Sequence, residues 1–465
     1  MSNNTPIPLD IGHNQTGANN RVQLAKTLTL VQVVMIGIAY IQPMTIFDTF
    51  GMVSDKTGGH VPTSYIIALA AILFTALSYG KLVKRFPSAG SAYTYAQKST
   101  QKSMSPHIGF LVGWTSLLSY IFMPMINILL AKIYLQDIFP NVEPAIFVVG
   151  LVILMTAANL RGINVIANLS TVIAIIQIGV MAVFTGLVIH GVSNGEGSGE
   201  IWTFNPFGNE KTEMIPLIAG ATILCFSFLG FDGLSSLSEE TPNAGKVIPR
   251  AIFLTALIGG VIFITVSFFL QQYFPDVSRF KNINETQPDI MRFVAGAFFQ
   301  SIILVFSCVT VLASGMAAHA GSARLMYVMG RDGVFPRKVF GYVSPTWRTP
   351  AYNVLMVGFL ALGAIWFEMD FATALINFGA LIAFTFVNIS VISQFFIRER
   401  RMTGFKNILN YLILPVIGTL TVCVLWLNIE EDSMVYGLIW TAVGLVYMAI
   451  LTRMFKRPMP QMSDI

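Results

Sequence analysis

The sequence predicts an all-α membrane protein of twelve transmembrane helices. Ten form a five-plus-five inverted repeat with broken first and sixth helices, and two more are peripheral. Three observations carry this expectation. Hydrophobic residues make up 54% of the chain and charged residues only 11%, with a mean hydropathy of +0.69, whereas soluble domains carry about 25% charged residues. Apolar stretches of roughly 18–25 residues, each able to cross a ~30 Å hydrocarbon core, recur along the whole chain. With the amino terminus inside, 22 of the 28 Lys and Arg fall on the inner side, as the positive-inside rule requires.

The spans lie near 28–52, 63–83, 108–133, 144–160, 166–190, 215–237, 250–273, 292–323, 350–367, 371–396, 407–427 and 435–454. Residues 1–26 read as a polar cytoplasmic tail without a signal peptide. Residues 27–396 hold the inverted-repeat core, with repeat one at about 27–190 and repeat two at about 215–396. Residues 397–454 supply the two additional helices and 455–465 a second cytoplasmic tail. The expected location is the cell inner membrane, multi-pass, with both termini cytoplasmic. Cys225, Cys308 and Cys423 all fall in apolar segments without CxxC spacing, and read as small core residues. No cofactor, metal site, nucleic-acid partner or enzyme motif is expected. Of the 23 Asp and Glu, 16 lie on the outer side or at its edge. They either fill loops that cations avoid or form a vestibule that concentrates a cation.

In the first span, Gly37 and Pro43 bracket GIAYIQPM, where intrahelical bonds should fail because proline lacks the donor. Tyr40 and Gln42 are the polar groups in that gap. Asp48, nearer the outer end, is expected to face water. The segment Lys81 to Ser105 is basic and small-residue-rich, and should lie along the inner interface. The third span carries Tyr120, Pro124 and Asn127, and the fifth a lone amide, Gln177, which needs a partner in the bundle. The sixth span ends in SEETPNAGKVIP, with Glu239 and Glu240 expected to pair with basic loops as gate or anchor. Pro249 is expected at the start of the seventh helix, where a missing donor costs nothing. Spans eleven and twelve have no buried charge or glycine break.

The stretch Ala221 to Gly233, ATILCFSFLGFDG, organises the rest. A carboxylate in hydrocarbon is expensive and is kept where it faces a cavity or a charged partner. Glycines on either side weaken the helix at the same place. Breaks in spans one and six are five crossings apart, so the two halves have opposite orientation and the breaks meet at the midplane, as in secondary transporters. A structural tie between Asp232 and a neighbouring helix is the competing reading. It lacks a candidate cation, because no Lys or Arg lies in the interior of another expected span.

The strings FSFLGFDGLSSLSEETPNAGKVIPRAI, SARLMYVMGRDGVFP with a trailing RTP, and PSAGSAYTYAQKS resemble the amino acid–polyamine–organocation transporter superfamily. Within it, GHVP, LFTALSYGKLV, PMINILLAKIY, RAIFLTA and TALINFGALIAFTFVN are similar to the bacterial putrescine importers, putrescine:proton symporters, from about Arg21 to the carboxyl end. The resemblance implies that Asp232 contacts a cargo amine and that Phe226 and Phe228 line the pocket. Gly37, Tyr40 and Gln42 would contribute from the first span and Tyr120 from the third. Ser227 and Gly230 complete the expected binding set. The implied partners are putrescine or a related diamine, a proton and the lipid bilayer.

Two departures from the amino-acid members fit a diamine: the first break is bulky where a carboxylate cradle would need open amides, and Gln177 stands where a lysine often lies. One departure from the putrescine importers does not, since Ser119 stands where an aspartate is usual. Asp232 is one candidate to carry the proton, because a buried carboxylate can trade its charge for one, and His319 is a weaker one. The competing functions are a cationic amino-acid importer or exchanger and a polyamine-sensing receptor.

Overall fold

Hydrocarbon offers no partner to a free N–H or C=O, so spanning segments must satisfy their backbone internally. The computed structural model describes residues 26–99, 105–210, 212–283, 286–429 and 431–454, and among these there are helices and no strands. The two expected tails, except Lys26, lie outside the described residues.

Nine of the described helices are long and apolar enough to cross a membrane, and the pair Leu30–Ile41 and Thr45–Thr57, bent by 46°, makes a tenth crossing as the first span. The shorter apolar helices Pro144–Leu160 and Ala351–Ile365 stand as the expected fourth and ninth spans, so every expected crossing has its helix. The others are Val61–Arg85 (second), Ser105–Ile138 (third), Ile163–Ser193 (fifth), Met214–Glu240 (sixth), Ala244–Tyr273 (seventh) and Gln287–Arg331 (eighth). The tenth is Met369–Val391 prolonged by a π-helix, Ile392–Arg398. The eleventh is Phe405–Trp426 and the twelfth Glu431–Leu451.

The packing has a repeated pattern. First packs on sixth, second on seventh, third on eighth and fourth on ninth. Tenth meets second and third as fifth meets seventh and eighth. First meets seventh as sixth meets second, and ninth meets third as fourth meets eighth. Helices five apart therefore occupy equivalent places, which is the five-plus-five arrangement. The eleventh and twelfth spans stand outside it. A reciprocal clamp holds the twelfth to the third: Trp114 Nε1 donates to the Trp440 carbonyl at 2.9 Å, and Trp440 Nε1 to the Trp114 carbonyl at 2.8 Å. Their rings stack at 4.8 Å.

Several local expectations are corrected. The first-span helix continues unbroken through Gly37 to Ile41. Gly37 is a close-packing position, where a Cβ would meet Thr255 Oγ1 at 2.4 Å and Thr255 Cγ2 at 2.7 Å. Pro249 lies inside the seventh helix rather than at its first residue, Ala244, and packs on Gly80 of the second span. The segment expected along the interface holds a helix, Ser91–Ser99, most of whose residues are buried against the third and tenth spans. Cys225 and Cys308 are buried, but Cys423 is exposed on the outer surface of the eleventh span.

The eighth span runs past its expected end at 323, which puts Arg324 inside the bundle. Its guanidinium meets the Glu240 carboxylate at 2.6 Å, both side chains being buried. About two turns further on, Arg331 holds Glu239 by two bonds of 3.0 Å, and Glu239 also accepts from the Ala89 N–H at 3.2 Å. Thr27 N–H donates to the Glu240 carbonyl at 3.0 Å. The end of the sixth span is thus tied to the eighth, as expected of an anchor or gate.

Gly37→Ala is expected to cost about 1–3 kcal/mol by overpacking, and Thr255→Ala to recover much of it. Thermal unfolding of the single and double variants checks this, and strictly additive losses would count against the contact. Arg324→Met, which strands a buried carboxylate, is expected to cost about 3–5 kcal/mol. Arg324→Met/Glu240→Met should be the more stable of the two, and equal melting temperatures would show the pair to be dispensable.

Candidate functional site

The sixth span is helical to Cys225, makes one 3-10 turn over Phe226–Phe228, and is extended at Leu229 with ψ 134°. Gly230 has φ +117°, a conformation that side chains rarely adopt. The chain resumes as a 3-10 helix over Gly233–Glu240. In the first span the break is confined to Gln42–Met44, with Gln42 left-handed at φ 46° and Pro43 next to it. Tyr40 joins the two breaks. A Cβ on Gly230 or on Gly233 would come within 2.6 Å of its ring atoms, so the absence of side chains at both glycines seats the ring across the sixth-span break.

Asp232 lies in that break and is buried, 8% exposed. One carboxylate oxygen accepts from the Gly230 N–H at 3.2 Å. Among the described residues no Lys, Arg or His forms an ion pair with it. Tyr40, Tyr79 and Tyr120 stand near it, and among the described residues no hydrogen bond of ordinary length reaches the buried hydroxyls of Tyr79 and Tyr120. The arrangement is an anion walled by aromatic rings and buried hydroxyls, which suits an organic ammonium through charge, hydrogen bonds and cation–π contact.

Two small cavities share Tyr40 as a wall. One, about 20 Å³, is lined by Tyr40, Gln42, Thr45, Asn127, Phe226 and Ser314. The other, about 10 Å³, is lined by Ile36, Tyr40, Gly233, Ser236 and Ala317 among others. Each has room for about one water and none for a four-carbon diamine. Among the described residues, no hydrogen bond of ordinary length reaches the buried Gln42 Nε2 or Ser227 Oγ.

Of the expected set, the structure brings Tyr40, Gln42 and Phe226 to the first cavity, and Gly230, Tyr40 and Tyr120 to Asp232. It does not bring Gly37, which packs under Thr255, nor Phe228. The Phe228 ring is fully buried between the second and seventh spans, against Tyr65 at 6.4 Å and Phe263 at 5.2 Å. Sequence reasoning missed Tyr79, whose signal was a tyrosine beside a serine and a glycine in the last third of the second span. It also missed Phe231, which packs between Tyr79 at 5.9 Å and Phe384 at 5.5 Å. Asp48, expected to face water, is half-buried and accepts from the Tyr134 hydroxyl at 3.1 and 3.2 Å. His319 Nε2 bonds the Val354 carbonyl at 2.8 Å, a structural role. Gln177 is buried with neither amide atom bonded among the described residues. Ser119 faces the tenth span, where a Cβ on Gly379 would lie 2.7 Å from its N.

Comparison with known proteins agrees with this geometry. The model of the amino acid permease family matches residues 32–452. The chain is 62% identical over 455 residues to the low-affinity putrescine importer PlaP of Escherichia coli K12, covering 98% of this chain and all of that protein. It is 26% identical over 450 residues to the methylthioribose transporter of Bacillus subtilis, covering 91% and 93%. It is 27% identical over 402 residues to the vacuolar cationic amino acid transporter 4 of Arabidopsis thaliana, covering 80% of this chain and 63% of that one. A multi-pass helical bundle with two broken helices, matched along nearly its whole length by one family's model, belongs to that family: this chain is a membrane transporter of the amino acid permease family.

Proposed function

We propose that the chain imports putrescine, or a closely related aliphatic diamine, across the bacterial inner membrane by alternating access. The observation that carries this reading is a buried Asp232 that no cation among the described residues balances, in a chain 62% identical to a putrescine importer over that protein's full length. The cargo supplies the missing charge. One ammonium is held by Asp232 and the tyrosine hydroxyls, and the methylenes lie against Tyr40, Phe226 and Phe231. The membrane potential adds about 4.6 kcal/mol per 100 mV for a dication entering an inside-negative cell.

Both termini are cytoplasmic in this proposal, with repeat one at about 27–190 and repeat two at about 215–396, a reading supported by the 22 of 28 cations gathered at one end. The Glu240–Arg324 and Glu239–Arg331 pairs then close the inner side. Passage requires Tyr40 to leave its seat on Gly230 and Gly233, so that the two cavities become one path. Asp232 is the group proposed to take up the coupled proton, since His319 is committed to the Val354 carbonyl. A cationic amino acid is the less favoured cargo. It would need free amides for its carboxylate, whereas Pro43 has none to offer and Gly37 lies under Thr255.

Uptake of labelled putrescine into cells lacking their own importers tests this. Asp232→Asn, at matched membrane expression, should lose about 1.5–3 kcal/mol of cargo binding, roughly ten- to hundredfold. Wild-type transport by Asp232→Asn would make the carboxylate structural, and competition by lysine without any putrescine uptake would transfer the reading to amino acids. In proteoliposomes an inward proton gradient should accelerate putrescine entry, and indifference to the gradient would remove the proton from the mechanism.

A further inference from the structure

A second group of charges stands at the same end of the bundle as Glu239 and Glu240, away from the sixth span. It is assembled from the end of the second span, the buried helix Ser91–Ser99, the π-helix that closes the tenth span and a π-helical turn, Leu409–Ile413, in the eleventh. The two π segments pack on each other. Segments 81–85, 98 and 398–406 carry eight cations and a single carboxylate, Glu399.

That carboxylate is fully engaged. Glu399 accepts from Arg85 at 3.1 Å, Arg401 at 2.7 Å and Gln394 at 2.9 Å. Although burial alone would raise it, these donors hold its carboxyl below the usual range. The Lys81 amine bonds the Asn410 carbonyl, and Arg398 bonds the Lys98 carbonyl. The Arg401 guanidinium lies 5.3 Å from the Phe395 ring centre and 5.4 Å from that of Tyr411. The internal contacts therefore fix a rigid cationic frame with no carboxylate left over.

Several of these cations point outward, Arg400 and Lys406 among them. Arg400 and Lys406 are exposed and form no ion pair among the described residues. Arg400 sits at a left-handed turn, φ 51°. Between and beside them Ile397, Met402 and Phe405 are 58%, 45% and 76% exposed. A preference for cations at one membrane face explains charge in these loops. It does not explain why exposed aliphatic and aromatic side chains alternate with the charges, nor why the frame beneath is bonded so tightly.

We propose that this surface binds an anionic phospholipid. The phosphodiester pairs with Arg400 and Lys406, with Arg398 adjacent, and an acyl chain lies along Ile397, Met402 and Phe405. Basic pockets between membrane helices are suited to such headgroups. The apolar triad distinguishes a lipid from a free phosphate, which would gain nothing from it. The bound lipid would fasten the eleventh span to the ends of the second and tenth spans, through the frame that Glu399 organises.

The test is thermal unfolding of the purified full chain in neutral detergent, with phosphatidylglycerol, phosphatidylcholine or inorganic phosphate added. Wild type is expected to gain a few degrees in Tm with phosphatidylglycerol alone, and the gain should shrink as salt rises. Arg400→Gln/Lys406→Gln should melt as wild type without lipid and lose most of the gain. Phe405→Ser should lose part of it with all charges intact. Lys338→Gln/Arg348→Gln, in another loop at the same end, should keep it. An equal shift from phosphate would make this an anion site rather than a lipid site. A wild-type-sized shift in Arg400→Gln/Lys406→Gln, its loss in the Lys338/Arg348 control, or no shift in wild type would overturn the proposal.

Discussion

A helix unwound inside a membrane frees N–H and C=O groups that hydrocarbon cannot solvate, and each must find a new partner. Much of what surrounds the two breaks follows from this. The Tyr40 carbonyl accepts from Ser314 of the eighth span at 2.7 Å. The Gln42 carbonyl accepts from both the backbone and the hydroxyl of Thr45, at 3.0 and 2.9 Å. In the sixth span Ser235 bonds the Asp232 carbonyl and Ser236 the Gly233 carbonyl, each at 2.7 Å. The Gly230 N–H is answered by the Asp232 carboxylate itself. The serines after the break let the chain recover as a 3-10 helix without exposing polar atoms to lipid.

The same accounting applied to charge separates the carboxylates by role. Glu240 has Arg324, Glu239 has Arg331, and Asp48 has the Tyr134 hydroxyl. Asp232 has the Gly230 N–H and neighbouring tyrosines. Two pairs fix the end of the sixth span while its middle holds a charge in waiting. This division of labour lets one discontinuous helix be both an anchor and a binding element. Small residues make it possible: Gly230 and Gly233 admit the Tyr40 ring, which an added Cβ at either would meet at 2.6 Å.

The number of crossings, the place of the sixth-span break and the isolation of Asp232 were legible in the sequence, because hydropathy, glycine and buried charge act over short stretches. What was not legible depends on neighbours distant in the chain. GIAYIQPM contains a helix breaker and a glycine, but only the position of Thr255 and Leu234 makes Gly37 a packing site and leaves the break to Gln42 and Pro43. Phe226 and Phe228 are two residues apart, and the 3-10 turn between them sends one to a cavity and the other to Tyr65 and Phe263. Arg324 looked like a loop residue because the eighth helix was expected to stop one residue earlier. PSAGSAYTYAQKS looked interfacial because it lies in a basic, small-residue-rich segment, yet its tyrosines and serines find their surroundings inside the bundle.

The fourth and ninth spans have a consequence for the surrounding bilayer. Pro144–Leu160 has 17 residues, about 25 Å at 1.5 Å per residue, and Ala351–Ile365 is shorter still. They pack against each other, so one flank of the molecule presents a hydrophobic belt shorter than the ~30 Å core of a typical membrane. Lipids on that flank must compress, while those around the long fifth and eighth spans need not. The protein therefore works in an uneven collar of lipid, and the thickness of its host membrane, set by acyl-chain length, becomes a mechanical load on the side where the two repeats meet through their shortest helices.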